Sequence, residues 1–232
     1  MKIRKKNFLS FVLATIILSV SLQPVAAQTN VLDDSQLKEI AQKYEVEVFV
    51  LSDSELEELE KNGPLPSFND FDEYESFVAE SVSELKKVDT VQKSVLEVPL
   101  KTDSTITPMY QTSHTLNWWA PFAGVLGGVA AWKNIAIVYD YEFRTNGNSR
   151  PYFTGVSSIS SYLTGLQIAV TWNQTTGTKT YSNTCWEKDT ANFVIQGYYL
   201  IGAEMYGVPV GFKVNDTWNR SLQLQTSGLG CF

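Results

Sequence analysis

Few residues in this sequence could carry out chemistry. It contains one histidine, His114, and two cysteines, Cys185 and Cys231. A serine-type triad needs a histidine base oriented by a carboxylate, and no Gly-x-Ser-x-Gly turn accompanies the histidine. We interpret the polar segment around His114, QTSHTLNWW, as a solvated loop. With so few ligands of the kinds that metals prefer, we expect no catalytic residue, no metal site and no cofactor.

Two carboxylates are close enough in sequence to act together. Asp140 and Glu142 lie in the strand-like segment IAIVYDYEF, and a regular strand would place both on one face. A glycosidase needs two carboxyl groups on opposite sides of a cleft. A pair on one strand is more typical of a solvated face, and we therefore expect a protein that is not an enzyme.

The N-terminus has the pattern of a secretory signal peptide. Basic residues at 2–6 precede an apolar run at 8–20, and Val25 and Ala27 are small residues at a suitable cleavage position. The run is shorter than the roughly 20 residues that a spanning helix needs, which favours removal over an uncleaved anchor. The pattern predicts a signal peptide at 1–27 and an extracellular protein, and its length and basic start suit a Gram-positive bacterium.

Export makes oxidation of the two cysteines favourable, so we predict a disulfide between Cys185 and Cys231. In the chain-entropy model, closing a loop of this length stabilises the fold by roughly 4 kcal/mol. The alternative is two unpaired thiols.

The acidity of the chain is confined to one part of it. Residues 28–105 carry a net charge of −12, whereas residues 106–232 carry +1. We predict an acidic α/β region at 28–88, a linker at 89–108 and an aromatic-rich domain at 109–232. The acidic region is either an ordinary small domain or a pro-segment, released by cleavage between Lys86 and Thr107. The charge of the last domain is too small for a nucleic-acid partner.

Local patterns indicate the elements of these regions. Apolar residues at helical spacing from Leu37 to Tyr44, the capping-box sequence from Ser52 to Glu55, and a helix capped by Asn69 favour an α/β arrangement. The later domain contains several short strand-like segments separated by turn signals, including Thr176-Gly177 and Tyr206-Gly207. The fold class we predict is α+β, with a mainly antiparallel β-sandwich after the small acidic region.

Tryptophan residues are the strongest binding signal. All six follow position 117, and Trp118 and Trp119 cannot both face inward from one strand. The segment from Ala120 to Trp132 contains thirteen uncharged residues rich in glycine and alanine. We predict a membrane or ligand contact whose members share this stretch: Trp118, Trp119, Phe122, Leu126 and Trp132. A buried loop packed on the domain is the alternative, since the segment is too short to span a bilayer as a helix.

Several longer segments resemble a family. WKNIAIVYDY, SSYLTGLQIAVTW and GYYLIGAEMYGVPVGFKVNDTW, together with FNDFDEYESF at 68–77, resemble secreted Gram-positive proteins with an acidic leader region and an aromatic β domain. This group includes large, heat-labile, non-lanthionine bacteriocins of the geobacillin type. The resemblance implies a bacteriocin-like antibacterial protein that acts on the envelope of other bacteria. The exposed aromatic residues leave an alternative open, a non-catalytic secreted module that binds cell-wall or other glycan.

Overall fold

The computed structural model describes residues 32–61, 63–86, 92–98, 110–120, 131–144 and 150–226. The signal peptide predicted at 1–27 lies outside these ranges. The described elements, in chain order, are α1 (Asp34–Tyr44), β1 (Glu47–Val50), α2 (Asp53–Glu60), β2 (Ser67–Phe68), α3 (Phe71–Leu85), β3 (Gln92–Val98), β4 (Tyr110–Ala120), β5 (Ala131–Arg144), β6 (Arg150–Gly165), β7 (Val170–Ser182), β8 (Thr190–Met205) and β9 (Val208–Thr226).

The fold is mainly antiparallel β with few helices, which confirms the prediction of a β-rich chain. The described strands form two sheets. In sheet A, the long antiparallel pair β8–β9 is central, with β7 and β2 along β8 and with β1 and β3 along β9. Sheet B contains β4, β5 and β6 in that order, all antiparallel. In sheet A, β2 pairs with β8 and β3 pairs with β9, both in the parallel sense.

The helix starts follow local side-chain chemistry. The Ser52 backbone N–H donates to the Glu55 carboxylate at 3.0 Å, as the capping-box pattern predicts. The third helix is capped one residue later than predicted, because Asp70 and not Asn69 accepts the free amide hydrogens. Its carboxylate accepts from the backbone N–H groups of Asp72 and Glu73 at 2.8 and 3.2 Å.

Helices α1 and α3 cover part of one face of sheet A. Ile40, Tyr74 and Val78 are fully buried there. The ring of Phe77 on α3 meets Phe212 on β9 at 6.0 Å in an edge-to-face contact. The acidic region therefore contributes its apolar helix faces to the same core as β8 and β9.

Part of the predicted linker is a strand. Residues 92–98 form β3 and pair with β9 from Arg220 to Thr226. Alternation explains this, because Val98 is buried and Val95 is exposed, as in a strand with one covered face. The predicted linker residues 99–108 lie outside the described ranges.

Several strands are longer than predicted. β7 runs through Thr176-Gly177, where we expected a turn, and a register shift between Gln174 and Thr176 leaves Thr175 as the extra residue. The turn at Tyr206-Gly207 is confirmed, with φ values of +51° and +80° that suit a tight β8–β9 connection. His114 lies in β4 and not in a loop, because Leu116 and Trp118 continue the inward alternation that His114 joins.

Candidate functional site

The β4–β5 pair brings the predicted contact residues to one end of sheet B. Its last pair of residues, Ala120 and Ala131, marks the end that we call the tip. Ten uncharged residues, 121–130, connect the two strands there. Phe122 and Leu126 belong to this connection and lie outside the described residues. The tip is thus the point where the apolar connection meets the folded sheet.

Aromatic side chains are exposed beside the tip. Trp132 is 44% exposed, although it directly follows the fully buried Ala131. Its neighbours across the sheet are Trp119 on β4 and Thr164 on β6. Tyr162, which is 40% exposed, lies diagonally from Trp132, because Tyr162 is paired with Asn134. We call Trp132 and Tyr162 the outer aromatic surface.

The polar residues around this surface are uncharged. Asn134 Nδ2 donates to the backbone oxygen of Trp132 and to Thr164 Oγ1, both at 3.0 Å, which holds β5 and β6 in register here. Asn117 on β4 and Ser160 on β6 are exposed. Amide and hydroxyl groups beside aromatic rings suit both sugars and the headgroup region of a bilayer.

Trp118 faces the opposite way and is only 7% exposed. Its ring meets Trp218 on β9 edge-to-face at 5.3 Å. The guanidinium of Arg220 lies 3.7 Å from the centre of the Trp118 ring. Trp118 therefore attaches β4 to sheet A, and its contribution to an external contact is indirect in this structure.

An ion pair between the buried Lys133 and the partly buried Asp216 attaches β5 to sheet A next to the exposed Trp132. Lys133 Nζ lies 3.2 Å from Asp216 Oδ2, and the lysine side chain is only 5% exposed. The Tyr199 hydroxyl and the Trp218 indole N–H each donate to the same carboxylate oxygen at 3.0 Å. These donors compensate for the partial loss of hydration of the Asp216 carboxylate. Without such partners, a charge removed from water would be destabilising.

Stacked tryptophans extend this attachment to β6 and β7. The rings of Trp172 and Trp218 are nearly parallel, with centres 4.1 Å apart. Trp172 Nε1 donates to Ser161 Oγ at 2.8 Å. A Cβ at Gly197 would lie 2.6 Å from the Trp172 ring, so only glycine admits this ring position. We call Trp118, Lys133, Trp172, Asp216 and Trp218 the inner anchor.

Of the residues considered for catalysis, His114 lies on β4, and Asp140 and Glu142 lie on β5. His114 is half-buried, and burial lowers its pKa below the usual range. The Tyr152 hydroxyl donates to Glu142 at 2.5 Å. No group of three or more potential ligands is placed to hold a metal in the described ranges. Nor is any helix among these residues long and apolar enough to cross a membrane.

The loop that carries Cys185 is organised by a fully buried carboxylate. Asp189 accepts backbone N–H groups from Thr184 and Cys185, both at 2.7 Å. Gln223 on β9 donates to Asp189 at 3.0 Å and to the Cys185 sulfur at 2.8 Å. Cys185 therefore has a defined position beside β9. Its predicted partner, Cys231, lies outside the described residues, so the disulfide stays a prediction.

Sequence reasoning identified Trp118, Trp119 and Trp132 but not Tyr162 or the Lys133–Asp216 pair. Asp216 is 83 residues from Lys133, and no local pattern joins them. One signal was present, since Lys133 takes a place in the inward alternation of β5. A lysine in that alternation indicates a buried charge that needs a partner.

Comparison of the chain with protein-family profiles, with curated proteins and with solved structures found no match.

Proposed function

We propose that this chain is a secreted, bacteriocin-like antibacterial protein without catalytic activity, which acts at the surface or membrane of other bacteria. Its contact surface is the tip of the β4–β5 pair. The observation that carries this proposal is the 44% exposure of Trp132 beside the uncharged connection at 121–130. Its partner is the bacterial envelope.

Trp132 is a large, partly apolar side chain that is 44% exposed. Tryptophan favours the boundary between water and lipid, because its ring is apolar and its indole N–H is polar. The inner anchor supports such a contact, since it holds β4 and β5 against sheet A while Trp132 points outward. Because the contact residues are attached to a rigid part of the fold, they lose little further conformational entropy on binding.

The finer organisation belongs to the same proposal. Sheets A and B form a β-sandwich, supported by the Trp118–Trp218 contact between them. The signal peptide ends at Ala27, and the Cys185–Cys231 disulfide joins the C-terminus to the Asp189 loop. The acidic region at 28–88 is a pro-segment or shield, supported by the contact of Phe77 with Phe212. Its removal would expose that part of the β9 surface.

Release of dye from anionic vesicles tests the membrane contact. The protein from residue 28 onward should release dye, and Trp132→Ala should reduce the release strongly. Val95→Ala is the matched control, because Val95 is an exposed apolar side chain on β3, in the other sheet. Circular dichroism should show the same fold in all three proteins.

Two results would count against this mechanism. One is absence of release by folded wild-type protein at high concentration. The other is equal loss of release in Trp132→Ala and Val95→Ala, which would indicate general hydrophobicity and not the tip. Growth inhibition by pure protein, tested against a panel of bacteria, decides separately whether the protein is antibacterial.

A second candidate function is a glycan-binding module. The observation that favours it is the outer aromatic surface itself, where Trp132 and Tyr162 lie among uncharged amide and hydroxyl groups. Sugars stack on such rings and hydrogen-bond to such neighbours. This function predicts sedimentation with purified peptidoglycan, competed by soluble sugar and lost in Tyr162→Ala. The glycan-binding function would be excluded if the protein released dye from vesicles but did not bind intact cell walls.

A further inference from the structure

A groove lies in the acidic region, away from the β4–β5 pair. It has a volume of about 860 Å³ and runs between α3 and the segment 64–68. Its apolar lining includes Leu65, Phe68, Phe77 and Ile168. The rings of Phe68 and Phe77 are 5.2 Å apart and form a continuous aromatic surface. This volume falls in the range of roughly 300–1,000 Å³ that is typical of ligand sites.

The side of the groove formed by α3 is acidic. Asp72, Glu73 and Glu80 line it, and no lysine or arginine does among the residues that the structure describes. All three residues are exposed, and none of their carboxylates has an ion-pair partner within the described ranges. Elsewhere on the same helix, Glu75 is paired with Lys43. The groove therefore combines an apolar floor with negative charges that are free to meet an incoming cation.

The spacing of the acidic residues on α3 suits a helical occupant. Asp72 and Glu80 are eight residues apart on α3, which corresponds to about 12 Å along a helix axis. Two to three turns of a bound helix have this length. Docking of a helix through its apolar face is an established mode of peptide recognition.

We propose that this groove docks a cationic, amphipathic helical segment of a partner protein. Leucine-like side chains of the segment would fill the floor between Phe68, Phe77 and Ile168. Lysine or arginine residues flanking that stripe would lie against Asp72, Glu73 and Glu80. The proposal requires no membrane, glycan or antibacterial activity, and it is independent of the proposed function.

Binding of a model peptide tests the groove in the protein from residue 28 onward, with the acidic region still attached. The probe is a fluorescent Leu/Lys peptide of about three helical turns with segregated leucine and lysine faces. A scrambled peptide of the same composition and a Leu/Glu peptide serve as peptide controls. We expect the segregated Leu/Lys peptide to bind at least about tenfold more tightly than the scrambled one and to weaken with added salt.

Two variants and one matched control locate the binding. Ser76→Arg places a positive charge on the α3 side of the groove, where it would repel the cationic peptide, and should abolish binding. Glu73→Gln with Glu80→Gln should weaken binding about tenfold and reduce its salt dependence. Glu57→Gln with Glu58→Gln removes two exposed carboxylates from α2, outside the groove, and should leave binding unchanged. Thermal unfolding checks that each variant is folded.

Unchanged binding in folded Ser76→Arg would overturn the proposal, because the peptide would then bind elsewhere. Equal losses in the two glutamate pairs would overturn it as well, since general acidity would explain the binding. Tight binding of the scrambled peptide would show that the apolar floor does not select an amphipathic face.

Discussion

Two antiparallel strand pairs of this protein differ in how far their apolar side chains are exposed. β8–β9 turns tightly at Tyr206-Gly207, and most of the face that contains Phe212 and Trp218 is buried. β4–β5 buries its inner face in the same core, but it exposes Trp132 and is joined through ten uncharged residues. The first pair is organised for packing. The second keeps apolar surface exposed where packing does not require it.

The difference shows where binding can be sought in a β-rich chain without relatives to compare. Buried aromatic residues in β8–β9 are explained by the core alone. Trp132 is exposed, although its neighbour in sequence, Lys133, is buried in an ion pair. Packing of the core does not explain this exposure. Variants in the two strand pairs should therefore differ in their effects on stability.

Trp218→Ala should have the largest effect, because Trp218 is fully buried and contacts both Trp118 and Trp172. We expect a loss of about 3–5 kcal/mol in the free energy of unfolding, measured by urea denaturation. A loss comparable to that of an exposed residue would mean that β9 does not form the centre of the core.

Removal of one member of the Lys133–Asp216 ion pair should have the next largest effect on stability. Asp216→Ala leaves Lys133 buried without its carboxylate and should cost about 3 kcal/mol. Lys133→Met with Asp216→Ala should recover part of this loss, since no uncompensated charge remains. If the double variant is as unstable as the sum of both single variants, the two side chains do not interact.

Trp132→Ala should change stability by less than about 1 kcal/mol, because Trp132 is 44% exposed at the surface of sheet B. Urea denaturation of this variant and of Val95→Ala makes the comparison direct. A much larger loss for Trp132→Ala would indicate that Trp132 belongs to the core, and the contrast between the two strand pairs would fail.

The smallest effect should come from His114, the only histidine in the chain. Burial lowers its pKa in the folded state below the usual 6.5, so the folded protein binds this proton less readily than the unfolded one. The contribution of His114 to stability is therefore complete above that usual value and is lost as the pH falls through the folded pKa.

Unfolding experiments across this pH range should show the loss in the wild type and less of it in His114→Gln. An NMR titration of the imidazole gives the folded pKa directly. An unchanged pH dependence in His114→Gln would place the effect in the carboxylates instead.

Much of the local structure could be predicted from the sequence. The capping box at Ser52 and the turn at Tyr206-Gly207 depend on neighbouring residues alone, and both occur in the structure. The expected turn at Thr176-Gly177 was wrong, because pairing of β7 with β8 absorbs the irregularity as a register shift. The loop expected at His114 was wrong for a related reason, since β5 supplies a partner strand that local patterns do not reveal.

The distribution of charge, the β-rich class and the group of tryptophans around the uncharged segment follow from the order of residues in the chain. Which of these residues face inward depends on how the sheets pack. Trp118 is held by Trp218 and Arg220, about a hundred residues away in the chain, and Lys133 is neutralised by Asp216. Burial of a side chain depends on partners brought together by sheet pairing, and this information is not contained in the spacing of neighbouring residues.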